Sequence, residues 1–240
     1  MSIKKNMIVF IVMFSATILI LGGCTPQSQN TTPEECFNFN SISGTIVDYK
    51  EEACGLDVVI PPMIGGVTVE HIDAYTFHHK QLTSIIIPET VTDIGYFSFA
   101  SNQLSSVTIP SSLTNINDHS FADNQLILVD LPNSVTRIGE YAFAYNELDA
   151  VIIPNSVTHI EKCAFFVNKL TSISIPNSLI IIGRRAFANN EIFSVTIGAN
   201  VAIDNTPGTI GMNEGFKLVY DSGGKLAGTY NYIDGEWIPE

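Results

Sequence analysis

Between residues 82 and 197, apolar and polar positions recur with a period of 22 residues. Leu82, Leu104, Leu126, Leu148, Leu170 and Ile192 form one column, and Pro88, Pro110, Pro132, Pro154 and Pro176 form a second. Phe77, Phe99, Phe121, Phe143, Phe165 and Phe187 make a third, and Asn102, Asn124, Asn146, Asn168 and Asn190 a fourth. Thr90, Ser112, Ser134, Ser156 and Ser178 add a hydroxyl two residues after each proline. Five columns in phase are the mark of stacked supersecondary units.

Within each unit the pattern Leu-x-x-Ile-x-Ile-Pro predicts one short strand. Alternating β-branched residues favour the pleat, and the proline ends it because it has no ladder donor. Val91, Ile94 and Phe99 then supply apolar side chains on a return path expected to hold short turns and helical or 3-10 pieces. One unit cannot cover these side chains alone, but neighbours stacked about 4.8 Å apart can, giving a parallel sheet roughly 30 Å long on one face of a solenoid. Gly95, Gly139 and Gly183 share a column in which positive φ is expected, whereas Asn117 and Glu161 hold the same position. Glu161 then implies either a different turn or stored strain. The Asn column reads as amides that satisfy backbone groups of adjacent rungs, and the Ser/Thr column as hydroxyl-capped turns.

The segment Leu82-Thr-Ser-Ile-Ile-Ile-Pro-Glu-Thr-Val-Thr-Asp-Ile-Gly-Tyr-Phe-Ser-Phe99 resembles the BspA-like class of bacterial leucine-rich repeats, and the later units match in the same way. Gly44 to Tyr49, Val58 to Pro61 and Gly65 to Val69 resemble that family's entry segment. Pro61 to Pro88 is five residues longer than the period, which places an insertion around Pro62 to Val67. Gly224 to Tyr230 together with Trp237 resembles its aromatic terminal segment. The resemblance implies a leucine-rich repeat solenoid, surface adhesion and host-matrix binding.

The first residues read differently. Lys4 and Lys5 precede an apolar run from Met7 to Leu21, followed by Leu21-Gly22-Gly23-Cys24, which resembles a lipoprotein signal with Cys24 as the lipidated residue. A non-lipidated signal or an uncleaved anchor helix are the alternatives. The expected organisation is a signal peptide at 1–23, the lipidated Cys and a flexible tether at 24–36, and an N-terminal cap with an irregular first rung at 37–81. Regular repeats follow at 82–197 and a C-terminal cap at 198–240. Export places the remaining cysteines in an oxidising compartment. Cys36 and Cys54 are the candidate disulfide, with three free thiols as the alternative.

Charge then narrows the partners. Eleven basic against 24 acidic residues give −13, and loss of Lys4 and Lys5 with the signal gives −15. Such a chain repels nucleic-acid phosphates and anionic lipid, so membrane contact is expected only through the N-terminal lipid. No enzyme motif is complete and no cofactor is expected. Cys163 and His119 lie two periods apart, about 10 Å by rung spacing, with Tyr141 between them, too far for a nucleophile and its base. His159, four residues from Cys163, stands in a variable surface column. His71, His78, His79 and Asp73 lack metal-site spacing.

Strand alternation leaves one outward face. Its rows are Ser84, Ser106, Leu128, Ala150, Ser172 and Ser194, and Ile86, Thr108, Asp130, Ile152, Ser174 and Thr196. Leu128, Ala150 and Ile152 form an apolar centre flanked by hydroxyls. The expected function is non-enzymatic binding of a protein partner, a host-matrix or bacterial surface protein, by an outer-surface lipoprotein. A periplasmic scaffold without an external ligand is the alternative.

Overall fold

The computed structural model describes residues 31–204, 216–234 and 236–240, so the signal segment and Cys24 lie outside the described residues. The repeat coils into a solenoid of about seven turns. A first ladder of short strands runs through Asp57–Val59, Ser84–Ile86, Ser106–Thr108, Leu128–Asp130, Ala150–Val151, Ser172–Ile175 and Ser194–Ile197. Neighbouring strands pair parallel and in register, with Ser106, Leu128 and Ala150 side by side, in three sheets that divide after Ser84–Ile86 and after Ala150–Val151.

The return path differs from expectation. Among the described residues, the repeats carry no helical or 3-10 piece there. They form a second parallel ladder of two-residue strands, including His71–Ile72, Asp93–Ile94, Asn115–Ile116, Arg137–Ile138, His159–Ile160, Ile181–Ile182 and Ala202–Ile203. The Ile of each pair is buried, and its neighbour faces outward. With the Val and Phe of the same return path, as in Val91, Ile94 and Phe99, these isoleucines fill the core between rungs.

The Asn column binds the turns together. Asn146 Oδ1 accepts the Leu126 N–H at 3.0 Å, and its Nδ2 donates to the Phe121 and Phe143 carbonyls at 3.0 and 3.2 Å. Asn102, Asn124, Asn168 and Asn190 repeat this arrangement on Leu82, Leu104, Leu148 and Leu170. Beside them the Phe column stacks from Phe77 to Phe187, ring centroids 5.1 to 5.6 Å apart, with Tyr49 heading the row at 5.3 Å from Phe77.

The glycine column owes its glycines to close approach and not to positive φ. A Cβ on Gly139 would meet Asp118 Oδ1 at 2.5 Å and the Asp118 nitrogen and Ile116 oxygen at 2.8 Å. Gly95 and Gly183 press on the preceding rung in the same way. Glu161 is not left-handed, so of the two readings for this position, a different turn or stored strain, left-handed strain is absent. The left-handed positions are two other columns. One runs Tyr75, Phe97, His119, Tyr141, Cys163 and Arg185 with φ of 53° to 61°, and the other His79, Ser101, Asp123, Tyr145, Val167 and Asn189 with φ of 55° to 57°. Each such residue costs on the order of 1–2 kcal/mol. Rung-to-rung bonds offset the cost, for example His119 N–H to the Glu140 carbonyl at 2.8 Å and Tyr145 N–H to the Phe166 carbonyl at 2.8 Å.

The hydroxyl column caps turns only in part. Ser112 and Ser178 donate to the carbonyls of Val91 and Val157 in the preceding rung. Thr90, Ser134 and Ser156 bury their oxygens without a protein partner.

Both ends are closed. Phe37–Asn40 pairs antiparallel with Thr45–Tyr49, which starts the second ladder against His71–Ile72. Cys36 and Cys54 are joined in a disulfide, Cα atoms 5.8 Å apart. Thr32 is buried; its N–H donates to the Val59 carbonyl at 2.9 Å and its Oγ1 accepts the Val59 N–H at 2.8 Å. Packing therefore begins inside the 24–36 stretch, because Thr32 satisfies the open edge of the first strand. The extra residues after Pro61 form a hairpin, Met63–Ile64 against Val67–Thr68. At the far end Gly228–Ile233 pairs antiparallel with Ser194–Ile197, and Glu236–Pro239 follows it, ending in a proline that discourages further strand addition.

Gly139→Ala is expected to destabilise the protein by about 1–3 kcal/mol, since two of the three atoms its methyl meets are backbone. Urea unfolding should show a lower midpoint at unchanged slope. An unshifted midpoint would contradict the close-packing account of this column.

Candidate functional site

The first ladder brings all twelve outward residues onto one face, since inward Ile85, Val107, Val129, Val151, Ile173 and Val195 are buried between them. Eleven are exposed; Ser194 is half-buried because its hydroxyl donates to Asn231 Oδ1 of the C-terminal hairpin at 2.8 Å. Thr196 remains exposed although its hydroxyl meets that of Thr229 at 3.1 Å. The terminal hairpin thus borders one end of the face.

At the centre, Leu128 is 59% and Ile152 78% exposed. Register sets Leu128 beside Ala150, and Ile152 follows Val151 on the strand next to Asp130. Ile86, at 48% exposure, adds an apolar side chain at the N-terminal end, and Ile127 widens the patch just before its strand. Ser106, Thr108, Ser172 and Ser174 border it with short hydroxyls. Such a face offers apolar area and hydrogen-bonding rim groups on a backbone that loses little freedom on binding.

The remaining candidates separate. His119 and Cys163 are divided by Tyr141, whose ring stacks on His119 at 4.7 Å between centroids. Tyr141 makes a side-chain hydrogen bond with Cys163; that bond, then burial, pushes its hydroxyl up to about 12. Burial lowers His119 below the usual histidine range despite nearby Asp118 and Glu140. His78 is also lowered, first by burial and then by His79, with its Nδ1–H donating to the Ala100 carbonyl at 3.1 Å. His71 sits apart on the second ladder, paired with Thr45 and Asp93. Among the described residues, no group of three or more His, Cys, Asp or Glu is placed to hold a metal ion. His159 is half-buried with Nδ1 at 2.8 Å from the Thr158 hydroxyl.

Sequence reading did not find a second aromatic row. Tyr75, Phe97, His119 and Tyr141 stack along one left-handed column with centroids 4.1 to 5.1 Å apart, and half-exposed Tyr96 packs edge-on to Tyr75. Its signal was present at the same 22-residue spacing, hidden because the column continues into Cys163 and Arg185. Beside it runs a row of ion pairs in which Arg137 lies between Asp118 and Glu161, at 3.5 and 3.0 Å. Lys162 reaches Glu140 at 3.4 Å and stands 5.3 Å from the Tyr141 ring centroid.

Comparison with known proteins accords with this architecture. The Treponema pallidum leucine-rich repeat protein TpLRR superposes with a TM-score of 0.58 at 23% identity, over 72% of this chain and 85% of that one. A leucine-rich cell surface protein from Faecalibacterium prausnitzii A2-165 gives a TM-score of 0.53 at 24% identity, over 85% of this chain and 56% of that one. At these identities the likeness is one of fold. No curated protein matches the sequence. The model of the BspA type leucine-rich repeat region matches residues 70–194 in six copies, more than half of the chain. With its period, its strand ladders and its Asn and Phe columns all in that frame, this chain belongs to the BspA-type leucine-rich repeat family.

Proposed function

We propose that the chain is a non-enzymatic lipoprotein of the bacterial cell envelope, held at the outer surface through Cys24, whose first-ladder face binds a host-matrix or bacterial surface protein. The carrying observation is the apolar centre of that face. Leu128 stands exposed on one strand and Ile152 just past the end of the paired strand beside it, with Asp130 next to them and hydroxyls on the rungs to either side. A soluble protein that leaves large aliphatic side chains together on a flat, well-ordered strand surface presents a contact for another protein. The description of the Faecalibacterium relative as a cell surface protein is in keeping with this location. The lipobox-like Leu21 to Cys24 supports anchorage, and the acidic chain supports a lipid rather than a basic patch as the membrane contact.

Two experiments test this reading. The double variant Leu128→Lys/Ile152→Lys should retain its circular dichroism spectrum and lose binding at least about tenfold, because two charged side chains would be buried in the contact. The readout is adhesion of cells bearing the protein to a panel of immobilised matrix proteins and bacterial surface proteins. Undiminished adhesion with the fold intact rules out the face. Separately, Cys24→Ala should abolish incorporation of radiolabelled palmitate, and retained label would refute the lipid anchor.

A further inference from the structure

The second ladder opens at one place. Along the coil, main-chain N–H groups donate to the carbonyl of the preceding rung: Gly95 to Ile72 and Gly139 to Ile116, each at 2.8 Å, Glu161 to Ile138 at 2.9 Å and Gly183 to Ile160 at 2.7 Å. Asp93–Ile94 and Asn115–Ile116 do not pair, and the ladder divides into two sheets between them. The side-chain amide of Asn117 takes over, donating to the Ile94 carbonyl at 2.8 Å and to Asp93 Oδ1 at 3.2 Å. On the N-terminal side of this break, with Asn117 at its edge, lies a hollow of about 350 Å³, lined among others by His71, Asp73, Asp93, Gly95 and Tyr96 of the paired rungs.

The repeat itself shows what such a hollow accepts. Two periods further on, the column of Asp93 holds Arg137, that of Asn117 holds Glu161, and that of Ala74 holds Asp118. There the Arg137 guanidinium fills the corresponding ground between Asp118 and Glu161. One column over, Lys162 sits against Glu140 and Tyr141. This surface therefore seats two cations that the chain supplies itself, Arg137 between two carboxylates and Lys162 against a carboxylate and a ring. At the hollow the carboxylates of Asp73 and Asp93 and the exposed ring of Tyr96 are in place, and the position that two periods on holds Arg137 holds Asp93. The nearby lysine of this end, Lys80, is engaged with Asp48 and Glu51 at 3.2 and 2.9 Å. Ala74 stands where Asp118 stands at the later site, so a methyl group takes the place of a carboxylate in the lining.

We propose that this hollow receives an arginine side chain from a partner protein. A planar guanidinium can bond both carboxylates while its stem lies along Ala74, and the Tyr96 ring adds a cation–π contact. The site lies on the second ladder, so it stands or falls independently of the binding face on the first.

The test is an amide-resonance titration of the full-length ¹⁵N-labelled protein in neutral detergent with the peptide acetyl-Gly-Arg-Gly-amide. Saturable shifts are expected at Gly95 and Tyr96, weakened by added salt and absent with acetyl-Gly-Gln-Gly-amide. Asp73→Asn/Asp93→Asn should weaken the arginine peptide at least about tenfold, as expected for loss of charge-assisted bonds. Both substitutions preserve an Oδ1 acceptor for the internal bonds to the Ala74 N–H and the Asn117 amide, so the fold is maintained. The proposal is overturned if the two peptides act alike, if the arginine peptide shifts residues elsewhere, or if the double variant binds as well as the parent. It is also overturned if N-acetylglucosamine moves the same amides and the arginine peptide does not, which would make the hollow a carbohydrate site.

Discussion

The buried asparagine amide is the constraint on which the coil depends. Every 22 residues the chain turns inward with a Leu N–H and two successive Phe carbonyls directed into the interior, and each of these would be orphaned in an apolar core. An unsatisfied buried group costs about 1–3 kcal/mol. One amide satisfies all three because it carries an acceptor and two donors at fixed geometry. Aspartate would lose the donors, and leucine would lose everything. The column is thus fixed by hydrogen-bond accounting, and it also sets the spacing at which the Phe rings can stack.

Once the amides hold successive turns together, the backbone can adopt conformations that an isolated loop would avoid. Two columns of ordinary side chains, one including the β-branched Val167, occupy the left-handed region in rung after rung. Their N–H groups find carbonyls one turn away, and the strain is distributed along the length of the solenoid. The same close stacking explains the glycines, which are needed where backbone meets backbone. It also makes the N-terminal opening of the second ladder conspicuous. At that point a side-chain amide substitutes for a main-chain bond, and a hollow lies beside it on the N-terminal sheet.

What could be read from the sequence was whatever repeats with residue type. Leucine, proline, phenylalanine and asparagine are each chosen for one physical task, so their columns disclosed the period, the strand and the buried amide. The outward rows of the first ladder followed from alternation alone, and the structure places them on one face. The second ladder was hidden because two-residue strands carry too little periodicity to distinguish from a turn. The glycine column invited a conformational explanation, although Glu161 in the same register already argued against a left-handed backbone there. The aromatic row failed to stand out because its column tolerates Cys163 and Arg185, side chains with no common chemistry. The hollow beside Gly95 is lined by residues such as Asp73, Ala74, Asp93 and Tyr96, whose columns share no common chemistry, so no periodic pattern announces it.

Hydrogen exchange tests the central role of the amide column most directly. The N–H groups of Leu104, Leu126 and Leu148 have the Asn oxygens as acceptors and lie outside the strands. If the amides hold the coil, these three should exchange only through global unfolding, as slowly as the strand amides of Val107 and Val129. Exchange at the rate of surface turns, with the strands still protected, would contradict the account and leave strand pairing and ring stacking as what holds the rungs together.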